Sequence, residues 1–184
     1  MRRHEGAHEL ETAMAGELAP LKLERAEFVT DVETTTPSAD GIDAVTFMVA
    51  TNPGAPAGPI NKIASGGELS RFLLALKVCL TRRAEGLTMI FDEIDRGVGG
   101  ATAAAVGQRL SEIADKAQVL VVTHSPQVAA KGANHWQVSK SVRNDETFST
   151  VVKLNTQERI DEIARMLAGD TITPEARAAA QALL

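Results

Sequence analysis

Two short apolar runs, each ending abruptly at polar side chains, constrain the fold of this 184-residue chain most strongly. The first run reads LTMIFDEID over residues 87–95, and the second reads QVLVVTHS over residues 118–125. A spacer of helical length separates them, so the pattern predicts strand, helix and strand joined by a right-handed crossover in a parallel sheet. Because the carboxyl ends of parallel strands share one edge, we expect Asp92, Glu93 and His124 to meet there, where open α/β folds bind ligands.

A helix with a bare N-terminus is predicted just before the first run. Ser65 and Glu68 have the spacing of a capping box. The apolar residues behind them recur at helical intervals: Leu69, Phe72, Leu73, Leu76 and Leu80. Gly66 and Gly67 remove side chains from the helix start, where free N–H groups and the helix dipole favour an anion such as a phosphate. Taken alone, the motif also fits a capped amphipathic helix with a flexible entry.

Three motifs together carry a family resemblance. They are SGGELSR at residues 65–71, IFDEID at residues 90–95 and VVTHS at residues 121–125. They resemble the signature motif, the Walker B motif with its D-loop, and the switch histidine of an ABC-type ATPase head of the SMC-like kind. The amino-acid sequence around these motifs is similar to the RecN family of DNA repair proteins, and the resemblance runs from about Leu21 to the end of the chain. The resemblance implies an α/β fold, the C-terminal part of a P-loop ABC/SMC-type ATPase head, with a mostly parallel sheet flanked by helices and an antiparallel hairpin.

The resemblance and the chemistry of the side chains together assign roles to the polar residues that end the two runs. Asp92 would hold Mg²⁺ through its water shell, since Mg²⁺ prefers a few carboxylates together with waters and phosphates. Glu93 would be the catalytic residue that orients or deprotonates the attacking water, and adjacent acids in a strand would point to opposite faces. His124 would contact the γ-phosphate of ATP or the water, and so sense the third phosphate.

By the same resemblance, the start of the helix would bind ATP that is held by a second head. Ser65, Gly66 and Gly67 would contact its γ-phosphate, and Glu68 would act mainly as a cap. Asp95 in the D-loop would cross the interface between the heads. These roles imply a homodimer in which ATP and Mg²⁺ lie at a composite site.

No P-loop of the form G-x-x-x-x-G-K-[ST] occurs anywhere in the chain. A phosphate cradle and its lysine are needed to hold a nucleotide, so the chain can supply only half of an ATPase site. We expect ATP hydrolysis only when an N-terminal P-loop half and a second head complete the site, and none from the isolated chain. The missing half would lie upstream in one longer protein, with a coiled-coil arm between the halves, or in a separate partner subunit.

Two other interpretations remain open at this point. The acids of residues 92–95, at the end of a strand, also suit a Mg²⁺-dependent nuclease or topoisomerase-type domain, although that leaves the SGGE helix unexplained. A non-catalytic module that uses the fold only to dimerise is the second.

Composition limits the partners without naming them. A net charge of −5 argues against a globally basic DNA-binding surface, and 3% aromatic residues argue against stacking platforms for single strands. DNA as a partner, and repair and recombination after DNA damage as the process, therefore come from the resemblance alone. The single Cys79 fits a reducing compartment, and no apolar run is long enough to span a membrane, so we expect a cytoplasmic protein near the nucleoid.

Periodicity and turn residues predict the rest of the chain. Residues 1–19 form a short helix ended by Pro20, which is either the end of a coiled-coil arm or a frayed helix, and residues 20–184 form the half-head. We place Trp136 in the core and Leu167 on the buried face of its helix. The further elements are strands over residues 21–35 and 42–51 around a turn at 36–41, a helix over 101–114, a helical turn over 126–130, a hairpin over 134–154, a helix capped by Asn155 or Thr156, and an exposed helix from Thr173.

Overall fold

The computed structural model describes residues 2–39, 41–62, 65–81, 86–143 and 145–184. Its helices are α1 (Arg2–Leu18), α2 (Gly66–Thr81), α3 (Gly100–Ala114), α4 (Pro126–Ala129), α5 (Thr156–Ala168) and α6 (Pro174–Leu183), with a 3₁₀ turn at Ile60–Lys62. Its strands are β1 (Glu27–Ser38), β2 (Gly41–Ala50), β3 (Gly58–Pro59), β4 (Thr88–Asp92), β5 (Gln118–Val122), β6 (Trp136–Arg143) and β7 (Glu146–Lys153). The α/β class is confirmed: β4 and β5 pair in parallel, whereas β1-β2-β3 and β6-β7 are antiparallel sheets.

The parallel pair β4–β5 and helix α3 form the predicted strand, helix and strand unit. The register runs from the Thr88–Gln118 pair to the Asp92–Val122 pair. Phe91 on the inner face of β4 is buried in the main core. The residues of α3 that were expected inside are buried there too, namely Val106, Leu110 and Ile113. The unit therefore brings the polar ends of both apolar runs to one edge of the sheet.

Helix α2 begins at Gly66, as predicted, but its buried face differs from the predicted one. The main core buries Phe72, Leu74, Ala75, Leu76 and Val78 of this helix. Leu73 and Leu80, which the spacing places inside, are exposed. Helix α1 packs along α2, and its Met14 and Leu18 belong to the same core. The buried face of α2 is therefore turned toward α1, a helix that the periodicity of α2 alone does not reveal.

The first strand is shorter than the sequence predicts. β1 starts at Glu27, whereas the residues before it form turns that close the end of α1. The N–H groups of Leu21 and Leu23 both donate to Leu18 O, at 3.1 and 3.0 Å. Leu21 and Leu23 are buried in the core, so the apolar alternation here reflects the packing of a loop and not a strand.

The C-terminal part contains the predicted hairpin and two helices around a second small core. β6 and β7 pair antiparallel along their length. Asn155 caps α5 in a capping box, because its side chain accepts from the N–H groups of Gln157 and Glu158 while the Glu158 carboxylate accepts from the Asn155 N–H. The second core consists of Ala130, Ile163, Ala164, Ala176 and Ala180.

Two predictions about this part are wrong, and a third, the exposure of α6, holds for most of that helix but not for all of it. Trp136 is 61% exposed on β6, because no element of the described residues covers that face of the hairpin. Leu167 is exposed near the end of α5, and Met166 packs against the second core instead. Helix α6 is not exposed all round, since the small side chains of Ala176 and Ala180 let it approach α5 closely.

Some predicted features are settled only in part. Asp40 and Asn144, which belong to predicted turns, lie outside the described residues. Cys79 is half-buried beside the main core. Within the described ranges, no helix combines the length and the apolar character needed to cross a membrane.

Candidate functional site

The carboxyl edge of the parallel pair carries the two candidate acids. Asp92 is the last residue of β4, and its side chain is exposed. Glu93 leaves the strand at once: its N–H donates to Val122 O at 3.1 Å, and its φ is +50°. Its exposed carboxylate lies 3.6 Å from the guanidinium of Arg96. The sequence suggests that the pleat of a strand separates the two acids, but Glu93 lies beyond the strand. A left-handed backbone conformation at Glu93 separates them instead, and such conformations cluster at functional sites.

His124 lies at the same edge, two residues beyond the end of β5. The pairing of Asp92 with Val122 places all three candidate residues at one end of the sheet, and the His124 side chain is exposed. The topology thus brings Asp92, Glu93 and His124 together. All three are open to a ligand that approaches from outside the chain.

The side chain of Asp95, which the resemblance assigns to an interface between heads, is directed into its own chain and is 0% exposed. Its Oδ2 accepts a hydrogen bond from the N–H of Ser125 at 3.1 Å and another from the hydroxyl of Thr123. The Ser125 N–H also donates to Thr123 Oγ1 at 2.9 Å. Asp95 therefore ties the D-loop to the residues on both sides of His124, a link that sequence analysis missed.

The two glycines of the signature motif have different surroundings. A Cβ atom added at Gly66 would meet nothing within 4 Å, so this end of α2 is open. A Cβ atom added at Gly67 would lie 2.8 Å from Gly97 O and 2.9 Å from Val98 Cγ1. Ser65 caps the helix through a 3.4 Å hydrogen bond from the Glu68 N–H. The start of the signature helix at Gly67 therefore touches Gly97 and Val98, in the D-loop after Asp95, within one chain. Only glycine fits at this point.

Arg71, the last residue of the SGGELSR motif, is a further residue of the site that sequence analysis missed. Its Nε donates to Gly67 O at 3.0 Å, and its Nη1 donates to Leu21 O and Lys22 O at 2.9 and 2.8 Å. Burial lowers the pKa of Arg71, while Glu68 and Glu24 act in the opposite direction. The spacing of Arg71 from Gly67, one helical turn, is the only sequence signal for this contact.

A buried ion pair joins the first helix to α3. Glu17, 2% exposed, accepts hydrogen bonds from Nε and Nη2 of Arg109, both at 2.7 Å. Burial lowers the pKa of Arg109, but the hydrogen bonds from its guanidinium to Glu17 and Glu112 outweigh burial and raise the pKa above its usual value. The pair fixes α1 against the helix that follows the D-loop, and its 92-residue separation in sequence leaves no local signal.

The exposed groups at this edge suit the two predicted ligands, a phosphate anion and Mg²⁺. The open tip of α2 at Gly66 suits an anion. No group of three or more His, Cys, Asp and Glu side chains that could hold a metal ion occurs in the part of the chain that the structure describes. A lone exposed carboxylate such as Asp92 suits Mg²⁺ that is bound largely by water and phosphate.

The two cavities described below lie away from the motif residues. A cavity of about 210 Å³ lies elsewhere, beside His135 and Arg159, and another of about 230 Å³ lies beside Glu11 and Phe28. Burial lowers the pKa of His135, and Arg159 adds to this effect. Neither of these two cavities includes a motif residue, and the side chains of Asp92, Glu93 and His124 are exposed, so a second surface would be needed to enclose a ligand bound to them.

Curated relatives of the chain are DNA repair proteins named RecN, although no protein-family model matches it. RecN of Rickettsia conorii is 47% identical over 178 residues, which are 97% of this chain and 33% of that protein. RecN of Vibrio cholerae is 42% identical over 97% of this chain and 32% of that protein. RecN of Xylella fastidiosa is 51% identical over 83% of this chain and 27% of that protein. The chain thus spans about a third of the length of these relatives.

Solved SMC heads share the fold of the chain. The Smc head domain of Pyrococcus yayanosii, with a coiled coil and joint, matches with a TM-score of 0.66 and 20% identity over 85% of this chain and 28% of that chain. A structure concerned with ATP-driven dimerization and DNA-stimulated activation of SMC ATPases matches with a TM-score of 0.64 and 18% identity over 91% of this chain and 96% of that chain. The chain therefore matches the C-terminal part of these RecN proteins, and it has the fold of an SMC head.

Proposed function

We propose that this chain is the C-terminal half of the ATPase head of a RecN-like protein that acts in DNA double-strand break repair and recombination. ATP and Mg²⁺ bind where an N-terminal P-loop half and a second head complete the site, and hydrolysis lets the heads separate. The observation that carries the proposal is an open SGGE helix tip beside an acid-ended parallel strand, both exposed in a chain that has no P-loop.

The bare face of the parallel sheet supports completion by another half. Ile90 is 61% exposed, Leu120 50% and Val122 56%, and all three lie on the same face of β4–β5. Parallel sheets are normally covered by helices on both faces. Asp92 lies on this face as well, since it is two residues beyond Ile90. A P-loop half that packed here would cover the apolar side chains and bring its phosphate cradle to the acid.

The exposed acids and histidine suit the hydrolytic step. Asp92 would hold Mg²⁺, which neutralises charge on the phosphates when it is bound. Glu93, turned away from the strand by its positive φ, would orient or deprotonate the attacking water. His124 would form a hydrogen bond with the γ-phosphate or with that water. The change of backbone direction after Asp92 is what gives the neighbouring acids separate positions.

The signature helix would act on the nucleotide of the opposite head. Ser65, Gly66 and Gly67 would bind its γ-phosphate at the positive end of α2, with Glu68 as the cap. Asp95 would support the interface between the heads by holding the D-loop in place, because its side chain is buried in its own chain. Two identical chains would then enclose two nucleotides in one isologous dimer.

The relatives supply the remaining parts of the proposal. All three RecN proteins compared above are named as DNA repair proteins, so we propose DNA as the partner and the bacterial cytoplasm, with the nucleoid, as the location. We further propose that residues 1–19 are the end of a coiled-coil arm and residues 20–184 the half-head. Helix α1 packs on the core and is not a loose extension, which suits the base of such an arm.

The nuclease interpretation loses support from the position of Asp95. Two-metal and one-metal nucleases gather several acids around the same ion. Asp92 is exposed at the sheet edge, whereas Asp95 is buried and accepts hydrogen bonds from Thr123 and Ser125. Asp95 therefore does not share a metal-binding position with the exposed Asp92.

Completion of the site is the decisive test. The purified chain and the separately purified P-loop half of the same protein are assayed for phosphate release with MgATP, each alone and then mixed. We expect turnover only in the mixture, with a rate that rises more steeply than linearly with concentration because two heads must meet. The variant Glu33→Gln, which changes an exposed acid on β1, is the matched control and should leave that rate unchanged.

Three results would contradict this function. Phosphate release by the isolated chain would refute the argument that it holds half a site. Nicking of DNA with Mg²⁺ and without ATP would favour a nuclease. Association of the two halves with no ATP turnover under any condition would favour a dimerisation module.

A further inference from the structure

The loop that carries His124 is held in place by one buried side chain. We propose that Asp95 is a positioning residue for His124, anchoring the residues on both sides of it so that the imidazole faces the nucleotide. The inference rests on the proposed function, since it assigns a purpose to the position of His124. It gives Asp95 a role inside one chain that differs from the contact across two heads implied by the resemblance.

The hydrogen bonds of Asp95 define the anchor. Oδ2 accepts from the Thr123 hydroxyl and from the Ser125 N–H, the residues immediately before and after His124. Oδ1 is buried and has no hydrogen-bond partner among the described residues, so the contacts of this carboxylate with the loop are concentrated on Oδ2. Hydrogen bonds to an ionised acceptor are about twice as strong as neutral ones, and a dry environment strengthens them further.

His124 depends on this anchor because its own side chain is exposed. An exposed imidazole receives little guidance from packing, so its direction is set by the backbone on either side. The two flanking hydrogen bonds, one from the Ser125 backbone N–H and one from the Thr123 side chain, tie both neighbours of His124 to Asp95 Oδ2. Removal of Asp95 would therefore release His124 without removing any group that we place on the nucleotide.

The anchor is itself held firmly. The Val98 N–H donates to Asp95 O at 3.1 Å, and the next turn of the D-loop packs against the signature helix where Gly97 meets Gly67. A displacement of the D-loop would therefore move Asp95, and Asp95 would move the His124 loop. The same short segment touches two of the three motifs within one chain.

Hydrogen exchange measures the anchor without any need for ATP turnover. In the 184-residue chain, Asp95→Ala should raise the exchange rate of the Ser125 amide by several-fold, up to about tenfold. This increase corresponds to the loss of one hydrogen bond from that amide. Thr123→Val leaves Asp95 in place but removes both the hydroxyl that donates to Asp95 and the acceptor that lies 2.9 Å from the Ser125 N–H, so it should also raise this exchange rate. Asp95→Asn, which keeps an acceptor, should fall between Asp95→Ala and the unchanged chain. An unchanged Ser125 exchange rate in Asp95→Ala would overturn the proposal, whatever Thr123→Val does, because Thr123 also accepts from the Ser125 N–H directly.

Steady-state kinetics of the completed head measure the consequence. Asp95→Ala should lower kcat by about ten- to a hundredfold, because misplacement of a catalytic group costs this much, while KM for ATP changes little. Asp95→Asn should recover part of the loss. Ile163→Ala, which makes a cavity in the distant second core, is the control for lost stability and should lower the melting temperature but not kcat.

The outcomes separate this inference from the function on which it rests. If the completed head turns over ATP and Asp95→Ala has an unchanged kcat, the positioning role is refuted and the function stands. If the unchanged head shows no turnover, the function is refuted, and the exchange data still decide whether Asp95 anchors the loop. Should Asp95→Ala not fold, Asp95→Asn carries both measurements.

Discussion

At the scale of single residues, the two signature glycines are required for different reasons. Gly66 faces open space, so its missing side chain matters only to a ligand that approaches the helix tip. Gly67 faces the backbone of Gly97, whose φ of +75° is itself a conformation that favours glycine. The double glycine therefore combines an open helix tip with a packing contact.

Substitution of each glycine should separate these two requirements. Gly67→Ala should lower the free energy of unfolding by about 1–3 kcal/mol, because its Cβ would overlap the Gly97 carbonyl. Gly66→Ala should stay within about 0.5 kcal/mol of the unchanged chain, as for other open positions. Urea unfolding followed by circular dichroism measures both. Equal destabilisation by the two substitutions would contradict the difference in packing.

Glu93 gives the second prediction at this scale. Glu93→Gln in the completed head should keep ATP binding and ATP-driven dimerisation, because the amide retains the shape of the carboxylate. Turnover should fall by about a hundredfold or more, since the amide cannot accept a proton from water. Light scattering reports dimerisation and phosphate release reports turnover. Hydrolysis near the unchanged rate would remove Glu93 from the catalytic role.

At the scale of elements, the Glu17–Arg109 pair decides how α1 is held. Glu17→Ala should lower the free energy of unfolding by about 1.5–3 kcal/mol, since it removes the charged hydrogen-bond partner of Arg109 on α1 and leaves that arginine paired only with the exposed Glu112. Glu112→Ala, which removes the exposed partner of the same arginine, should cost at most about 1 kcal/mol. Denaturant midpoints of both variants test this contrast, and a double-mutant cycle with Arg109→Ala isolates the pair. A small loss for Glu17→Ala would mean that α1 is held by apolar packing alone.

Elements with strong local signals were predictable from the sequence, and their environments were not. Helix α3 and the β6–β7 hairpin follow the periodicity of their residues. The exposure of Ile90 and Trp136 could not be predicted, because apolar residues are read as core wherever they occur. The left-handed Glu93 has no signature in its sequence neighbours. The burial of Asp95 depends on a hydrogen bond to Thr123, 28 residues away, so only the folded chain reveals it.

At the scale of the whole molecule, the uncovered face of β4–β5 should control association. Ile90→Thr should weaken binding of the P-loop half and reduce self-association of the isolated chain, because it removes exposed apolar area from that face. The stability of the chain itself should change by no more than about 0.5 kcal/mol. Val45→Thr, at a similarly exposed position on β2, is the matched control. Sedimentation velocity of each variant measures self-association, and titration with the P-loop half measures binding.

The alternative outcome would change the account of this face. If Ile90→Thr bound the P-loop half as tightly as the unchanged chain, the two halves would meet elsewhere. If instead Val45→Thr had the larger effect, the β1–β2 hairpin would be the contact surface.

Arg71 has a mechanical consequence for the molecule. Its guanidinium joins the carbonyl of Gly67, in the first turn of α2, to the carbonyls of Leu21 and Lys22, which follow the first helix. A force on the first helix would therefore be transmitted to the first turn of α2 through the side chain of Arg71. Under the proposed function, a force on the first helix would then alter nucleotide binding at the tip of α2, and nucleotide binding would alter the position of that helix.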